Sequence, residues 1–553
     1  MTLFASKWID FFSYDTPERR KYLDNIYGKA GETRPKLIIQ VLQKFIEVFG
    51  DKPVFITRCP GRINLRGMHV DTHGGFLNLM TIEQEVVLVG HIREDDNFFI
   101  HNLEPEHKPL NTSFNSLQNK FPLESSWSNI CHHAHNCSDI SVHWHKYITG
   151  VLLRTTHQTH KPISLGLEAV VGGDIPEGSA LSSSHALCLS LLQAIMYTNQ
   201  LDFDTTTKLK MVQDAEWFTG ARSGLSDQTA ELLGKKDTLL GVQLHPGTAQ
   251  ILEEKYLPFP GDLSIIIADS RTRRDISSTH AASYNKNRFA YSVALQILKE
   301  IMKTQGFSPE QIDSFQTLDD FSPERLGGTS ELYKLFRSIP HTLTVDALFH
   351  QFNIPGIQEI FERYYSHLPE EEYPREVPIR GPLVFGICET IRARHFFEAL
   401  QKGDISMAGY LMTLGHNGDR VIDSTGRPFH RDINDDTLFV YENLQIAPYS
   451  LTGDFGASTP ILDRLVDIAN QNGALGSCLT GAGLGGVIIS FCLNSDVPTI
   501  KKALQDWLSS DEYSQLVNRR QPLTSDELEA SVFVHNSTQG ASIVPAPFLS
   551  FTH

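Results

Sequence analysis

Residues 172–184 read GGDIPEGSALSSS, and what stands on either side decides how they fold. The run LEAVV at 167–171 is short, β-branched and bounded by glycine, the pattern of a strand. The run from 186 to 197 is strongly apolar and built from helix formers. Strand, loop, helix follows. A loop that feeds a helix presents unpaired backbone N–H groups and the positive end of the helix dipole, and small side chains let phosphate oxygens come close. Gly178, Ser179 and Ala180 suit that approach, and Pro176 and Leu181 belong to the same candidate nucleotide-binding loop. Ser182, Ser183 and Ser184 add hydroxyls that can bond a phosphate, and Ser183 and Ser184 can donate oxygen to a hydrated Mg²⁺. Taken alone, a serine triplet before a helix also reads as a plain N-cap. The Walker pattern is absent, so a P-loop ATPase is not supported.

Two more glycine-rich stretches flank this one along the chain: PGRINLRGMHVDTHGG at 60–75 and LTGAGLGG at 479–486. Each alone is an ordinary loop. In this order they read together as one phosphate-transfer site.

The 553 residues are enough for two or three packed units with large cores. With 41% hydrophobic and 20% charged residues, the balance is that of a soluble globular protein. A net charge of −17 argues against broad attraction to a nucleic acid or an anionic membrane. Seven scattered cysteines fit a reducing compartment with free thiols. The N-terminus lacks a signal-peptide pattern, and no apolar run approaches the roughly 20 residues needed to span a bilayer, so a cytoplasmic location is expected.

Residues 16–49 read as an amphipathic helix with Leu37, Val41, Leu42 and Phe45 on one face and a stop at Gly50. Residues 54–57, 84–92 and 167–171 read as strands of one sheet. The polar stretch 101–143 reads as an excursion from it, and 307–380 as a helical insertion. Strands are expected at 263–268, 384–388 and 486–491, with helices at 390–400 and 460–470 between them, giving an alternating α+β half.

The segment PEGSALSSSHAL at 176–187 closely resembles the second motif of the GHMP kinases, which include galactokinase and the homoserine, mevalonate and phosphomevalonate kinases. Residues 60–75 resemble the galactokinase signature that holds the sugar, and 479–486 resembles the third, glycine-rich motif. HWHKYITGV at 143–151 and GICETIRARHFFEALQKGD at 386–404 also look like galactokinase segments, so the resemblance runs from about 54 to 491. It implies an α+β fold of two domains, with ATP and sugar bound between them. Residues 1–245 would form an N-terminal domain of the ribosomal-protein S5 domain-2-like type. Residues 246–553 would form a ferredoxin-like C-terminal domain carrying the insertion.

The same resemblance assigns roles. In AEWFTGARSGLSDQ (215–228), Glu216 would share the Mg²⁺ site with Ser183 or Ser184, and Asp227 would handle the proton of the anomeric hydroxyl. A hard cation prefers oxygen ligands, and a carboxylate near the nucleophile can act as a general base. Arg62 would stand beside Asp227 and support the charge of the transferring phosphoryl group. His69 and Asp71 match positions that bond sugar hydroxyls, Gly224 a backbone contact, and Tyr284, in SSTHAASYNKNR, a pocket tyrosine. Gly481 and Gly483 would help hold the nucleotide. Each has a plainer alternative: Asp71 as a turn residue, His69 as a core histidine, Tyr284 as a packing aromatic.

Met68 departs from the galactokinase pattern, which generally has a Glu there bonding the sugar's C6 hydroxyl. A thioether accepts hydrogen bonds poorly, which lowers the preference for a sugar with a 6-hydroxyl. Relatives acting on L-arabinose, L-fucose or galacturonate also lack that Glu, and galacturonokinases share the look of residues 69–82. Arg66 replaces an aliphatic residue and reads either as a partner for a substrate carboxylate or phosphate, or as a solvated arginine. Cys131, His132, His133, His135 and Cys137 lack the spacing of a paired zinc knuckle and read as a polar loop.

The expectation is an ATP- and Mg²⁺-dependent kinase phosphorylating C1 of a galactose-like monosaccharide, with arabinose, fucose and galacturonate as variants. The alternatives are a non-catalytic sugar- and ATP-binding regulatory sensor of the galactokinase family and a GHMP kinase for a non-sugar alcohol. Asp71 and Tyr284 disfavour the last.

Overall fold

The computed structural model describes residues 2–121, 125–135, 143–159, 163–220, 223–273, 279–352, 354–365 and 370–545. Two long strands, Pro53–Arg66 and Phe76–Ile92, are buried along most of their length and pair antiparallel at the centre of a nine-stranded sheet. Leu167–Gly173 pairs with Phe76–Ile92, and Asn97–Asn102 runs parallel beside it. Farther along the same central strand, Thr238–Leu244 pairs and carries Ile251–Pro258 with it. A boundary at 245 would cut that last strand from the sheet it completes.

The pairing of the central strands shifts register between Pro60 and Arg62 and again between Asn64 and Arg66. Such irregularities re-aim side chains that would otherwise alternate strictly. Here they fall inside the 60–75 stretch.

Each face of the sheet is covered by a helix whose sequence explains its orientation. Pro35–Phe49 buries Leu37, Ile38, Val41, Leu42 and Phe45, and ends at Gly50, whose φ of +82° only glycine adopts readily. Ser183–Thr198 is buried on nearly all sides, and Ser190 meets the hydroxyl of Thr57 on the central strand at 2.9 Å.

A second, four-stranded sheet has the order Gly476–Leu479, Val487–Leu493, Leu263–Asp269, Val532–Val534, all antiparallel. Pro460–Gln471 and Val497–Leu508 pack on it. The helix Arg380–Gln401 joins the two halves, because it packs on both central strands of the first sheet and on Ile405–Asp419. From the second sheet the chain returns to the first: Thr538 exchanges hydrogen bonds with Thr81, and Ser542–Ile543 pairs with Pro53–Arg66.

Three local expectations are corrected. Residues 384–388 are not a strand but the middle of the helix Arg380–Gln401. That helix is buried almost all round, so its sequence lacks the polar face that would reveal a helical period. Residues 16–49 form two helices, Pro17–Tyr27 and Pro35–Phe49, with a 3₁₀ turn between them. The stretch 101–143 contains Leu110–Ser113, which extends the sheet, and the helices Phe114–Lys120 and Trp127–His135. On that last helix Cys131 points inward while His132 and His133 are exposed; Cys137 lies outside the described residues. Among the described residues no group of three or more His, Cys, Asp or Glu is arranged to hold a metal ion. The six described cysteines are all buried and form no disulfide with one another, and no described helix is long and apolar enough to cross a membrane.

Within 307–380 the chain forms short helices such as Thr329–Ser338 and Ile357–Tyr365, with a two-stranded sheet of Thr342–Thr344 and Glu376–Pro378.

Candidate active site

The three glycine-rich stretches meet through their backbones. The amide of Arg62 donates to the carbonyl of Leu181 at 3.2 Å, which ties the first stretch to the second. The amide of Asn64 donates to Thr480 Oγ1 at 2.9 Å, and that hydroxyl donates back to the Asn64 carbonyl at 3.1 Å, which ties the first to the third. The third lies on the second so closely that a Cβ on Gly481 would come within 2.6 Å of the Ala180 carbonyl, and one on Gly486 within 2.6 Å of the Ser179 carbonyl. Glycine is required there both by contact and by backbone, since Gly481 and Gly486 take φ of +73° and +83°. A Cβ on Gly483 would strike the Ala457 carbonyl, so Gly483 packs on a different neighbour from Gly481.

The serine triplet is not an ordinary cap. Ser182 occupies the N-cap of Ser183–Thr198 with φ +74° and makes no capping bond; its buried hydroxyl acts instead on the carboxylates of Asp227 and Glu231. Ala180 is also left-handed, at φ +64°. Two non-glycine residues in that region within three positions store strain of a kind that clusters at ligand-binding loops. Ser179 braces the turn by donating to the Pro176 carbonyl at 2.6 Å, and Gly178 takes φ +70°.

Asp227 stands in the first turn of the helix Ser226–Leu233, where the dipole favours an anion. Arg62 forks onto its Oδ1 with Nε at 2.9 Å and Nη2 at 2.6 Å, while Nη1 donates to the Ala180 carbonyl. One guanidinium therefore links the carboxylate to the phosphate loop. Burial pushes the Asp227 carboxyl up, but the Arg62 charge, with His185 and the bonds Arg62 donates, outweighs it and holds the group at about 2. Asp227 is also the most open of the set: its side chain is 20% exposed, against 4% for Arg62, 4% for His185 and 3% for Glu216. Glu231, one turn further on, is fully buried; burial, then the Asp227 charge, pushes its carboxyl well above the usual range.

Glu216 projects from Thr205–Phe218, and its Oε1 is buried with no hydrogen-bond partner among the described residues. An unpartnered carboxylate oxygen of this kind suits a hard divalent cation. His185, which the sequence reading passed over as part of the helix, lies between the two carboxylates: its Nδ1 is 3.4 Å from Asp227 Oδ2 and 3.6 Å from Glu216 Oε1.

Asp71 is no mere turn residue. Its Oδ2 accepts from the amides of Leu225 and Ser226 at 3.0 and 3.1 Å and from Ser226 Oγ at 2.9 Å, so it caps the helix that carries Asp227. Gly224 makes room for it: a Cβ there would overlap the Asp71 carboxylate at 1.9 Å. His69, at φ +62°, stacks on Phe455 at 4.4 Å and brings Nε2 to 3.3 Å from Asp419 Oδ1. The side chain of Tyr284 lies outside the described residues.

Arg66 meets neither solvent nor an open pocket, which corrects both of its sequence readings. It is fully buried, with Nε 3.3 Å from Glu389 Oε1 and Nη1 donating to the Met412 carbonyl at 3.0 Å. Glu389 Oε1 also accepts the amides of Gly67 at 2.8 Å and Met68 at 3.2 Å, and its Oε2 pairs with Arg392. Sequence had marked the segment around Glu389 without a role for it. The Met68 side chain is 1% exposed and packs in the main apolar cluster. A cavity of about 570 Å³ lies in the C-terminal half beside Asp454 and Gly456, but its two arginines, Arg420 and Arg431, are already engaged by Asp467 and Asp454.

Comparison with known proteins agrees with this convergence. Residues 43–91 match the galactokinase galactose-binding signature, 146–235 the GHMP kinase N-terminal domain and 440–510 the GHMP kinase C-terminal family. The chain is galactokinase-like: it carries the galactose-binding signature together with the GHMP kinase N- and C-terminal segments. Galactokinase of Dictyostelium discoideum is 25% identical over 549 residues, covering 97% of this chain and 99% of that protein. Galactokinase of Roseiflexus sp. (strain RS-1) is 23% identical, covering 84% and 90%. The crystal structure of Lactococcus lactis galactokinase complexed with galactose shares the fold at a TM-score of 0.58 and 20% identity, covering 90% of this chain and 98% of that one. The chain thus keeps all three motif stretches, and places Asp71, Arg62, Asp227 and Glu216 around the junction where they meet.

Proposed function

We propose that this kinase transfers the γ-phosphoryl group of ATP to the anomeric C1 hydroxyl of a galactose-like monosaccharide. The observation that carries the reading is the Arg62 fork, which holds Asp227 on one side and the phosphate loop on the other. A carboxylate held at about 2 is too weak a base to strip a sugar hydroxyl in the ground state. It orients the hydroxyl and receives the proton only as the new O–P bond forms. Arg62 stays next to the γ-phosphate path and offers charge where it builds up. The phosphates rest on the 176–184 loop and the N-terminus of Ser183–Thr198. Glu216, with Ser183 or Ser184, would hold Mg²⁺, which when bound neutralises phosphate charge. Asp71, Gly224, His69 and Tyr284 would form the sugar side.

The C6 end of the sugar meets no carboxylate at position 68, so sugars altered at C6 belong among the candidates. An ATP-consumption screen over galactose, arabinose, fucose and galacturonate tests the proposal. Turnover of at least one is expected; tight sugar binding without turnover of any would favour the regulatory sensor instead.

A further inference from the structure

His185 is the third residue of the helix that begins at Ser183, and its side chain is only 4% exposed. It faces two carboxylates on two other helices: Asp227 on Ser226–Leu233 and Glu216 on Thr205–Phe218. Among the described residues neither ring nitrogen makes a hydrogen bond, and the same is true of Glu216 Oε1. Buried polar atoms are seldom left this way unless a ligand or a small closing movement completes them. Contacts of this kind are commonly long before substrates bind and shorten in the loaded site.

The direction of the ring decides its chemistry. An Nδ1 lone pair aimed at two carboxylate oxygens would be repelled by both, whereas an N–H is attracted by both. The state with hydrogen on Nδ1 is therefore the favoured one. Arg62 already holds Asp227 by Oδ1. A donor on Oδ2 fixes the plane of the carboxylate from its other side and leaves the remaining lone pairs for a substrate hydroxyl. It also lies between Asp227 and Glu216, two anions that would otherwise share whatever cation enters.

We propose that His185 is a positioning residue of the phosphoryl-transfer site: its Nδ1–H clamps Asp227 opposite Arg62 and keeps Asp227 and Glu216 from drawing in one cation between them. The assignment rests on the roles given above to Asp227 and Glu216.

Three substitutions separate this role from plain packing. His185→Asn places an amide donor near the position of Nδ1; His185→Gln keeps the bulk but places its amide near Nε2; His185→Ala removes both. For each, kcat and KM are measured with the best sugar, and Mn²⁺ binding to the nucleotide-free protein is measured by calorimetry. Gln and Ala are expected to lose kcat by about 10- to 100-fold with KM for the sugar changed by less than about threefold. Asn is expected to recover about tenfold or more of that loss. Mn²⁺ should bind more tightly to the Ala protein than to wild type, and Asn should restore the wild-type value. Equal kcat for Asn and Gln, or equal Mn²⁺ affinity in all the proteins, would overturn the proposal. Should Ala not fold, the contrast of Asn with Gln still decides it. Should wild type turn over no sugar, the reading of the site falls, and the Mn²⁺ series alone decides whether His185 separates the carboxylates.

Discussion

Arg62 and Arg66 lie four residues apart on one strand, and each is a buried guanidinium beside a carboxylate. Their partners could hardly differ more. Asp227 is 20% exposed, lies at a helix N-terminus and faces the phosphate loop; Glu389 is fully buried and spends both oxygens on Arg66, Arg392 and the amides of Gly67 and Met68. The register shift between Asn64 and Arg66 lets the strand send one arginine to the proposed phosphoryl-transfer site and the other to the joint between the two halves. The comparison teaches that a charge pair works as a catalytic device where one member keeps access to a substrate. Where both are sealed, it locks a loop in place.

The largest expected effect lies at the open pair. Asp227→Asn keeps the shape but removes the anion, and kcat should fall by about a thousandfold or more, with nucleotide binding unchanged by calorimetry. Near-normal kcat would break the distinction between the pairs. At the sealed pair, Glu389→Ala leaves two buried guanidiniums short of an anion and should cost about 3–5 kcal/mol of stability in chemical denaturation. A loss of kcat without a loss of stability would mean that Glu389 takes part in the chemistry.

Acid should separate the two effects again. Burial holds His73 neutral down to about 3 and His535 to about 4, below the unfolded value of 6.5. Unfolding therefore takes up protons as the pH falls, so the stability they contribute is complete above 6.5 and is lost progressively towards 4. Asp227 runs later: its lowered value supports the fold above 3.8 and fails only as the pH drops towards 2. Thermal scans should show Tm falling below pH 6.5, while kcat of the protein still folded holds steady between pH 7 and 5.

The smallest effect is expected at Met68. A carboxylate introduced by Met68→Glu would enter an apolar site next to Glu389 and lower Tm by several degrees. In the protein that folds, the ratio of kcat/KM for galactose over arabinose should rise. An unchanged ratio would show that position 68 does not read C6.

Much of the site was legible because its chemistry is local in sequence. The 176–184 loop declares itself by small residues between a strand and an apolar helix, and Asp227 by its place in 215–228. Partners brought together by the fold were not legible. His185 looks like one more residue of a buried helix, and nothing in RINLR says that the strand shifts register and turns Arg66 inwards. The central strands were visible through their β-branched runs, whereas 384–388 was misread because a helix buried on every side has no polar stripe. The upward push on the Glu231 carboxyl depends on burial and on its nearness to Asp227 in the fold, neither of which the sequence carries.

The central claim is that Asp227 directs a sugar's anomeric hydroxyl to the γ-phosphate. Phosphorus–proton correlation NMR on the product formed from ATP, Mg²⁺ and the preferred sugar tests it most directly. The account predicts a phosphorus signal coupled to H1 of the sugar, absent with Asp227→Asn. Phosphate on any other hydroxyl, or the same product formed undiminished by the Asn variant, would contradict it.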